Sequence, residues 1–386
     1  MNLLIAAHDT GAANALSPVI TELRGRSGMT VTVVAGGPAE RVFGRMGIQF
    51  QPVVWPSEPT ADSDRHLRDL LRETAPKGIL LGTGWGDTLD KAILRLATER
   101  CIPSCSFVDT WIYFKERFWD SKNRSLRLPT RLAVVDEEAL QQARIVGISP
   151  DTVVVTGQPY LEALAQQMQR PDLLQQAQRL RQIWLGDLGS ERRLILFASE
   201  AYADFWGPGS PYYRGYTEED ALEGLVEAVE VCERATGLSL SIVVKLHPCQ
   251  SGAPARLGAG AIRRGVRVIA EEPIWPCLLA ADTVVGMTSM ALIEASIAGK
   301  PVVSFQPGWQ GPHPFTGTPF TLIPTVLSHD ALAQWLKSAV SAGAVAQPAV
   351  LADRLRSLIH GLAAARIADL LLELCRSSEP AGSSAR

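Results

Sequence analysis

The sequence has no excess of either charge: 37 Lys and Arg stand against 40 Asp and Glu, for a formal net charge of −3. A chain so balanced lacks the basic stripe that nucleic acid requires, so no nucleic-acid partner is expected. It also lacks any CxxC pair and any Cys/His spacing suited to zinc. The cysteines stand at 101, 105, 232, 249, 277 and 375, and that scatter predicts reduced thiols, a cytoplasmic location, and neither a disulfide frame nor a structural metal. No run reaches the ~18 apolar residues of a membrane-spanning helix. The start, "MNLLIAAHDTGAANAL", enters a strand at once, without the basic opening and long apolar core of a leader peptide. Residues 377–386, from the polar end "RSSEPAGSSAR", are expected to be disordered.

What is present is an alternation of strand and helix over 386 residues, 46% of them hydrophobic, a length that suits two domains. In the first half, "NLLIAA", "TVTVVA", "GILLG", "PSCSFV", "RLAVV" and "TVVVTG" are short apolar runs separated mostly by amphipathic helical stretches. The pattern pauses in a Gln-rich stretch interrupted by Pro171, then resumes with "RRLILFA", "SLSIVVKL", "VRVIA", "DTVVG" and "PVVSF". Alternation of this kind predicts parallel sheets covered on both faces. The expected fold is α/β, two doubly wound Rossmann-like domains facing a cleft. The boundaries read as an acceptor-side domain over 1–157, connecting helices over 158–190, a second domain over 191–345, and a C-terminal helix over 346–376 packing back on the first domain. In such sheets ligands bind beyond the carboxyl ends of the strands, so the loops after strands are the places to seek chemistry.

The first such loop, "AAHDTGAANAL", brings His8 to a strand end, as a general base or as a turn-forming partner of Asp9. In "LGTGWGDTLDKAI", Asp87 is a helix cap or a chemical acid. In "SFVDTWIYFKERFWDSKNR", Asp109 follows a strand, and Trp111, Tyr113, Phe114, Phe118 and Trp119 crowd together among Lys115, Glu116 and Arg117. Aromatics interleaved with positive charge fit an acceptor pocket, a peripheral membrane contact, or packing between domains.

In the second half, the long loop of "LFASEAYADFWGPGSPYYRGYTEED" reads as a lid or acceptor wall, with Glu200 and Asp204 as its acids. "VVKLHPCQ" puts Lys245 and His247 on one side of a strand end, two potentially cationic donors suited to phosphate. Glu272 follows another strand, where backbone contacts to a nucleobase would fall. In "GMTSMALIEASIAGKPVV", Thr288 and Ser289 open a helix whose N-terminus attracts anions, although both are also ordinary caps. Glu294 is a single carboxylate on an otherwise apolar helix, costly to bury without a partner.

"TSMALIEASIAGKPVV" resembles the donor-site signature of GT-B-fold glycosyltransferases. The resemblance implies that Thr288 and Ser289 hold a diphosphate and that Glu294 holds ribose hydroxyls. The "HP" at 247–248 with a downstream Ser is similar to the motif pair of bacterial capsule sialyltransferase-type and glycerophosphotransferase-type enzymes, in which the His contacts the donor phosphate. "GDTLDKAILRLA" and "VVVTGQPYLEAL" resemble stretches of the non-hydrolysing UDP-N-acetylglucosamine 2-epimerases, which would make Asp109 a catalytic acid. That family's His-Arg-Arg-Glu cluster is absent; "SEAYADFWG" stands in its place. The implied activity is metal-independent glycosyl transfer from a UDP-, CDP- or CMP-linked sugar to a small-molecule or glycan acceptor. The nucleotide sugar is then a co-substrate, with no cofactor and no metal. His8 or Asp109 would serve as base, Lys245, His247 and Glu272 would serve the nucleotide, and Trp111, Tyr113 and Glu200 the acceptor. The alternatives are a UDP-HexNAc 2-epimerase, with Asp87 and Asp109 as acid and base, and a non-catalytic subunit of the same fold.

Overall fold

The computed structural model describes all residues except 57–59, 121–122, 187–191, 251–256, 312–318, 342–348, 360 and 378–386. The expected disordered tail thus lies, Ser377 apart, outside the described residues. The chain divides into two compact units, Met1–Ala163 with Leu358–Arg386, and Leu164–Ser357.

Unit 1 carries strands β1 (Asn2–Ala7), β2 (Thr30–Ala35), β3 (Gln51–Pro52), β4 (Gly78–Leu81), β5 (Ser104–Val108), β6 (Trp119–Asp120), β7 (Ser125–Leu126), β8 (Arg131–Val134) and β9 (Val153–Val155). All but β6 and β7 join one sheet in the order β3-β2-β1-β4-β5-β8-β9, and every pairing in it is parallel. The short pair β6–β7 forms a separate antiparallel ribbon. Every residue of β4 and β5 is buried. This is why they read as continuous apolar runs rather than alternating ones: helices cover both faces of a parallel sheet.

Unit 2 holds β10 (Arg192–Ala198), β11 (Ser239–Lys245), β12 (Arg267–Ile269), β13 (Thr283–Gly286), β14 (Val302–Phe305) and β15 (Thr325–Val326), ordered β12-β11-β10-β13-β14-β15 and likewise parallel. Its core centres on the long helix Glu218–Thr236, opened by a capping box in which Thr217 and Asp220 satisfy each other's main-chain N–H groups. Two-residue strands such as β3 and β15 carry no usable period, and the sequence pattern misses them.

The two sheets share one topological feature. In unit 1 the chain lays β2 and β3 to one side of β1, then returns to place β4 on the other; unit 2 does the same around β10, with β13 on the far side. At such a switch point the flanking loops diverge and leave a crevice at the carboxyl ends of the strands.

Two segments differ from the sequence reading. Of the stretch 158–190, helix Pro159–Gln167 begins in unit 1, whereas helix Pro171–Leu185 belongs to unit 2. Arg181 fixes the latter by donating to the Ala280 carbonyl and to Asp282, each at 2.8 Å. The C-terminal helix is two helices, Ala349–Leu358 and Ala363–Ser377. The second starts where buried Glu162 accepts the N–H of Ala363 at 2.8 Å, a tertiary cap between residues about two hundred positions apart in sequence. It packs against helix Thr10–Gly25 and on β4 and β5, so it returns to the first domain as expected. Among the described residues no helix is long and apolar enough to cross a membrane.

Candidate functional site

Each switch point carries a different chemistry. In unit 1, β1 delivers His8 and Asp9, β4 delivers the loop Gly82–Thr88, and β5 delivers Asp109. By position Asp9 caps helix Thr10–Gly25, yet its side chain makes no cap bond. The carboxylate turns instead toward β4, where the N–H of Trp85 meets it. Asp109 lies on the other side of the same helix start. A methyl group on Gly11 would sit 2.1 Å from Asp109 Oδ2, and one on Gly84 would sit 2.7 Å from Asp9 Oδ2. Both glycines are therefore required by the carboxylates packed against them, not only by the turns they make. The Arg117 guanidinium stands 3.3 Å from Asp109 Oδ1 and donates to Thr83 O and Oγ1 at 2.8 and 2.9 Å.

Behind this pair lies Asp90, 2% exposed, in the first turn of helix Leu89–Glu99. Burial, with Asp9 adding like-charge repulsion, pushes its carboxyl up to about 7. Burial also raises Asp9, against the opposing charges of His8 and Arg117. The cluster thus holds one acid raised to about 7 and a second shifted the same way beside an ion-paired one, the arrangement that acid–base chemistry needs. The Lys91 ammonium, lowered by burial, donates to the Glu116 carbonyl at 2.7 Å. His8 packs its ring on the Gly36–Gly37 turn, with Nδ1 buried and unpartnered.

In unit 2 an internal bond spans the switch point. Glu200, just past β10, accepts the main-chain N–H of Thr288 at 2.6 Å and its hydroxyl at 3.0 Å. The phenol of Tyr202 lies 2.5 Å from the same hydroxyl, and Arg214 donates to that phenol at 2.6 Å. Arg214 in turn faces the rings of Tyr202, Trp206 and Trp309 at 5.2–5.8 Å. The carboxyl of Glu200 is packed round by protein although the residue keeps some accessible surface. Burial pushes it up to about 7, against the two bonds from Thr288 and the charge of Arg214.

Ser289 caps helix Met290–Ile297 by accepting the N–H of Ala291 at 3.2 Å, and Glu294 is buried on that helix. His247 follows β11. Its Nδ1 accepts the N–H of Cys249 at 3.2 Å, which leaves the proton on Nε2. Burial and then the charge of Lys245 lower its pKa, so at neutral pH the ring is an uncharged donor.

No protein-family model matches the chain, and no curated protein sequence does. Solved structures do. The UDP-GlcNAc 2-epimerase from Neisseria meningitidis bound to UDP-GlcNAc superposes over 97% of this chain and 100% of its own, with a TM-score of 0.66 at 15% identity. The UDP-GlcNAc 2-epimerase from Methanocaldococcus jannaschii covers the same shares with a TM-score of 0.65 at 15% identity. The glycosyltransferase from Rickettsia africae covers 97% of this chain and 99% of its own, with a TM-score of 0.62 at 12% identity. The chain has the GT-B fold.

On that fold several expected residues stand differently from their sequence reading. Trp111 is fully buried and donates from its indole N–H to Asp136 at 2.8 Å. Phe114 and Phe118 are buried as well, so the aromatic run is chiefly interior packing of unit 1, not an exposed wall. Asp136 is the N-cap of helix Glu137–Ile145, and its other oxygen accepts the N–H of Ala139 at 2.9 Å. Trp111→Phe is expected to destabilise the chain by about 1–3 kcal/mol in denaturant unfolding. A loss under 0.5 kcal/mol would show the bond to be unimportant.

Asp87 is exposed and stands apart from the buried carboxyls; Asp90, three residues on, is the interior acid. Lys245 is buried and donates to the carbonyls of Leu246 and Ala270 at 3.0 and 2.8 Å, so its ammonium serves the ends of β11 and β12. The expected pair of cationic donors is therefore one backbone-bound ammonium and one neutral imidazole. Thr288 spends its N–H and hydroxyl on Glu200, which is an inward-facing acid and not an outer wall. Tyr202 and Tyr216 belong to the core of unit 2, whereas Phe205 and Tyr212 from the same loop are 60% and 69% exposed. Glu272 is half-buried before helix Ile274–Ala280. The sequence's single Asp-x-Asp spacing, Asp62 and Asp64, lies in the first turn of helix Ala61–Thr74, with the two acids paired to Arg65 and Arg95.

The residues that pattern reading missed are Asp9 as an inward acid, Asp90, Arg117 and Arg214. The close spacing of Asp87 and Asp90 after a strand was a usable signal for a second acid in that loop; the two arginines offered none.

Proposed function

We propose that this chain is a nucleotide-sugar enzyme that transfers the sugar to a hydroxyl-bearing acceptor without a catalytic metal. The observation carrying this reading is the division of chemistry between the switch points. Hydrogen-bond donors suited to phosphate, Ser289 and the His247 Nε2–H, stand after strands of unit 2, and the acid–base carboxyls belong to unit 1. In this reading the turn at Ser289 and the neutral His247 donate to the leaving phosphate as its charge develops. Glu294 takes the ribose hydroxyls. Asp109, placed by Gly11 and Arg117, accepts the acceptor's proton. The solved structures of the same fold include a glycosyltransferase and epimerases, among them epimerases bound to UDP-GlcNAc. The nucleotide and sugar of this chain are then matters for experiment.

One observation favours a second reading. An enzyme that epimerises C2 of a UDP-HexNAc needs an acid and a base on one sugar, and unit 1 offers Asp109 beside Asp9 and Asp90, both raised by burial. Incubation with UDP-HexNAc in D2O separates the two. Transfer predicts no deuterium at C2 and acceptor-dependent release of nucleotide, whereas incorporation at C2 without acceptor establishes epimerisation.

Binding is checked by thermal shift with UDP, GDP, TDP, CDP and CMP. A nucleotide at a hundred times its Kd stabilises by about 2.7 kcal/mol, and one member is expected to stand out. Glu294→Ala and His247→Ala should each reduce that shift. A flat panel, or unchanged shifts in both variants, would remove the nucleotide from unit 2.

A further inference from the structure

The loop between Gly82 and Thr88 carries a side chain with no part in the proton chemistry. Trp85 is 42% exposed, although its main-chain N–H faces the half-buried carboxyl of Asp9. Its indole makes an edge-to-face contact with Tyr113, ring centroids 4.3 Å apart and planes at 81°. Tyr113 is fixed from both sides, by buried Trp111 before it and buried Phe114 after it. Its backbone is left-handed, φ 64° and ψ 32°, a conformation unfavourable for a residue with a Cβ. Strain and exposure are thus combined to hold one flat apolar ring at the surface, on a loop that packs against Asp9 at Gly84 and leads into the helix of Asp90.

We propose that Trp85, braced by Tyr113, is a stacking platform for a pyranose ring, and that the ligand of unit 1 is therefore a saccharide. This deepens the reading above and rests on it for the transfer step. A pyranose has an apolar C–H face that suits an indole, and a rim of hydroxyls that can donate to carboxylates and accept from a guanidinium. A nucleotide stacked on the same ring would bring its phosphates toward three acids. A lipid would need a broad apolar surface, whereas the exposure here is one indole beside a half-buried phenol.

The test is saturation-transfer NMR on the full chain, with the methyl glycosides of glucose, galactose, mannose and N-acetylglucosamine as probes and adenosine as the competing aromatic-stacking ligand. At least one pyranoside should take up saturation on the C–H protons of one ring face. Trp85→Ala should abolish that signal and Trp85→Phe should keep part of it, each with an unchanged melting temperature. In turnover, Trp85→Ala should raise the acceptor KM about tenfold or more while leaving donor KM unchanged.

Absence of saturation from every pyranoside on the wild type, a signal undiminished in Trp85→Ala, or saturation of adenosine in place of the sugars would each overturn the platform. The thermal shifts with nucleotides report separately on unit 2. If those are flat while a pyranoside still binds through Trp85, the transferase reading fails and the platform stands.

Discussion

Glu200→Gln is expected to make unit 2 more stable than the wild type at pH 8.5, by about 2–3 kcal/mol, and to leave it nearly unchanged at pH 4.5. The Glu200 carboxyl is raised from 4.5 to about 7 in the folded chain. The folded state therefore holds that proton more tightly than the unfolded one. The stability it contributes is complete below about pH 4.5 and is lost as pH rises through about 7. The groups facing it are Thr288, Tyr202, Tyr216 and Arg214. Both phenols are themselves raised by burial, Tyr216 to about 12, and stay neutral across this range. Glu200 is thus the titrating member of the group.

Glutamine keeps the shape and one acceptor for the Thr288 N–H, and the Thr288 hydroxyl can rotate to accept from the new amide. For a unit of this size, the expected gain corresponds to about 5–10 °C in melting temperature at pH 8.5. Other titrating groups are common to both proteins and cancel in the difference. Parallel curves for variant and wild type from pH 4.5 to 8.5 would mean that Glu200 is ionised throughout.

The second large effect belongs to Asp109. Asp109→Asn keeps the size of the side chain but removes the proton acceptor, and should lower kcat by about 10²–10⁴-fold on whichever nucleotide sugar the binding panel identifies. Gly11→Ala reaches the same group by geometry. Its methyl would lie 2.1 Å from Asp109 Oδ2, so the carboxylate must move by about an ångström to restore van der Waals contact. A shift of that size costs on the order of 10²-fold in a positioned reaction. Both variants should retain the nucleotide thermal shift, because the group concerned is in unit 1. Full turnover in Asp109→Asn would take Asp109 out of the chemistry and leave Asp9 or His8 as the base.

The two switch points share one design. At each switch point an acid from the first strand of the sheet reaches the loop of the strand across it: Asp9 toward Trp85 and Gly84, Glu200 onto Thr288. An acid placed there is stripped of water, which raises both Asp9 and Glu200.

The sequence by itself determined the class of fold and the positions of its main strands. Parallel strands buried on both faces must be apolar along their length, and a helix between each pair of strands must be amphipathic, so both periods are written in the chain. It also placed the loops that matter, because strand ends follow from strand positions. Tertiary structure alone decided which side chains in those loops turn inward. Asp87 and Asp90 are three residues apart, one in the loop before helix Leu89–Glu99 and one in its first turn, yet the first is exposed and the second is interior. Trp111 and Trp85 are both aromatics near a strand end, yet Asp136 draws the first into the core and Tyr113 holds the second outside. Glu200 was visible as an acid, but its bond to Thr288 joins residues 88 positions apart in sequence. A contact of that range leaves no local period, because it exists only once β10 and β13 lie side by side.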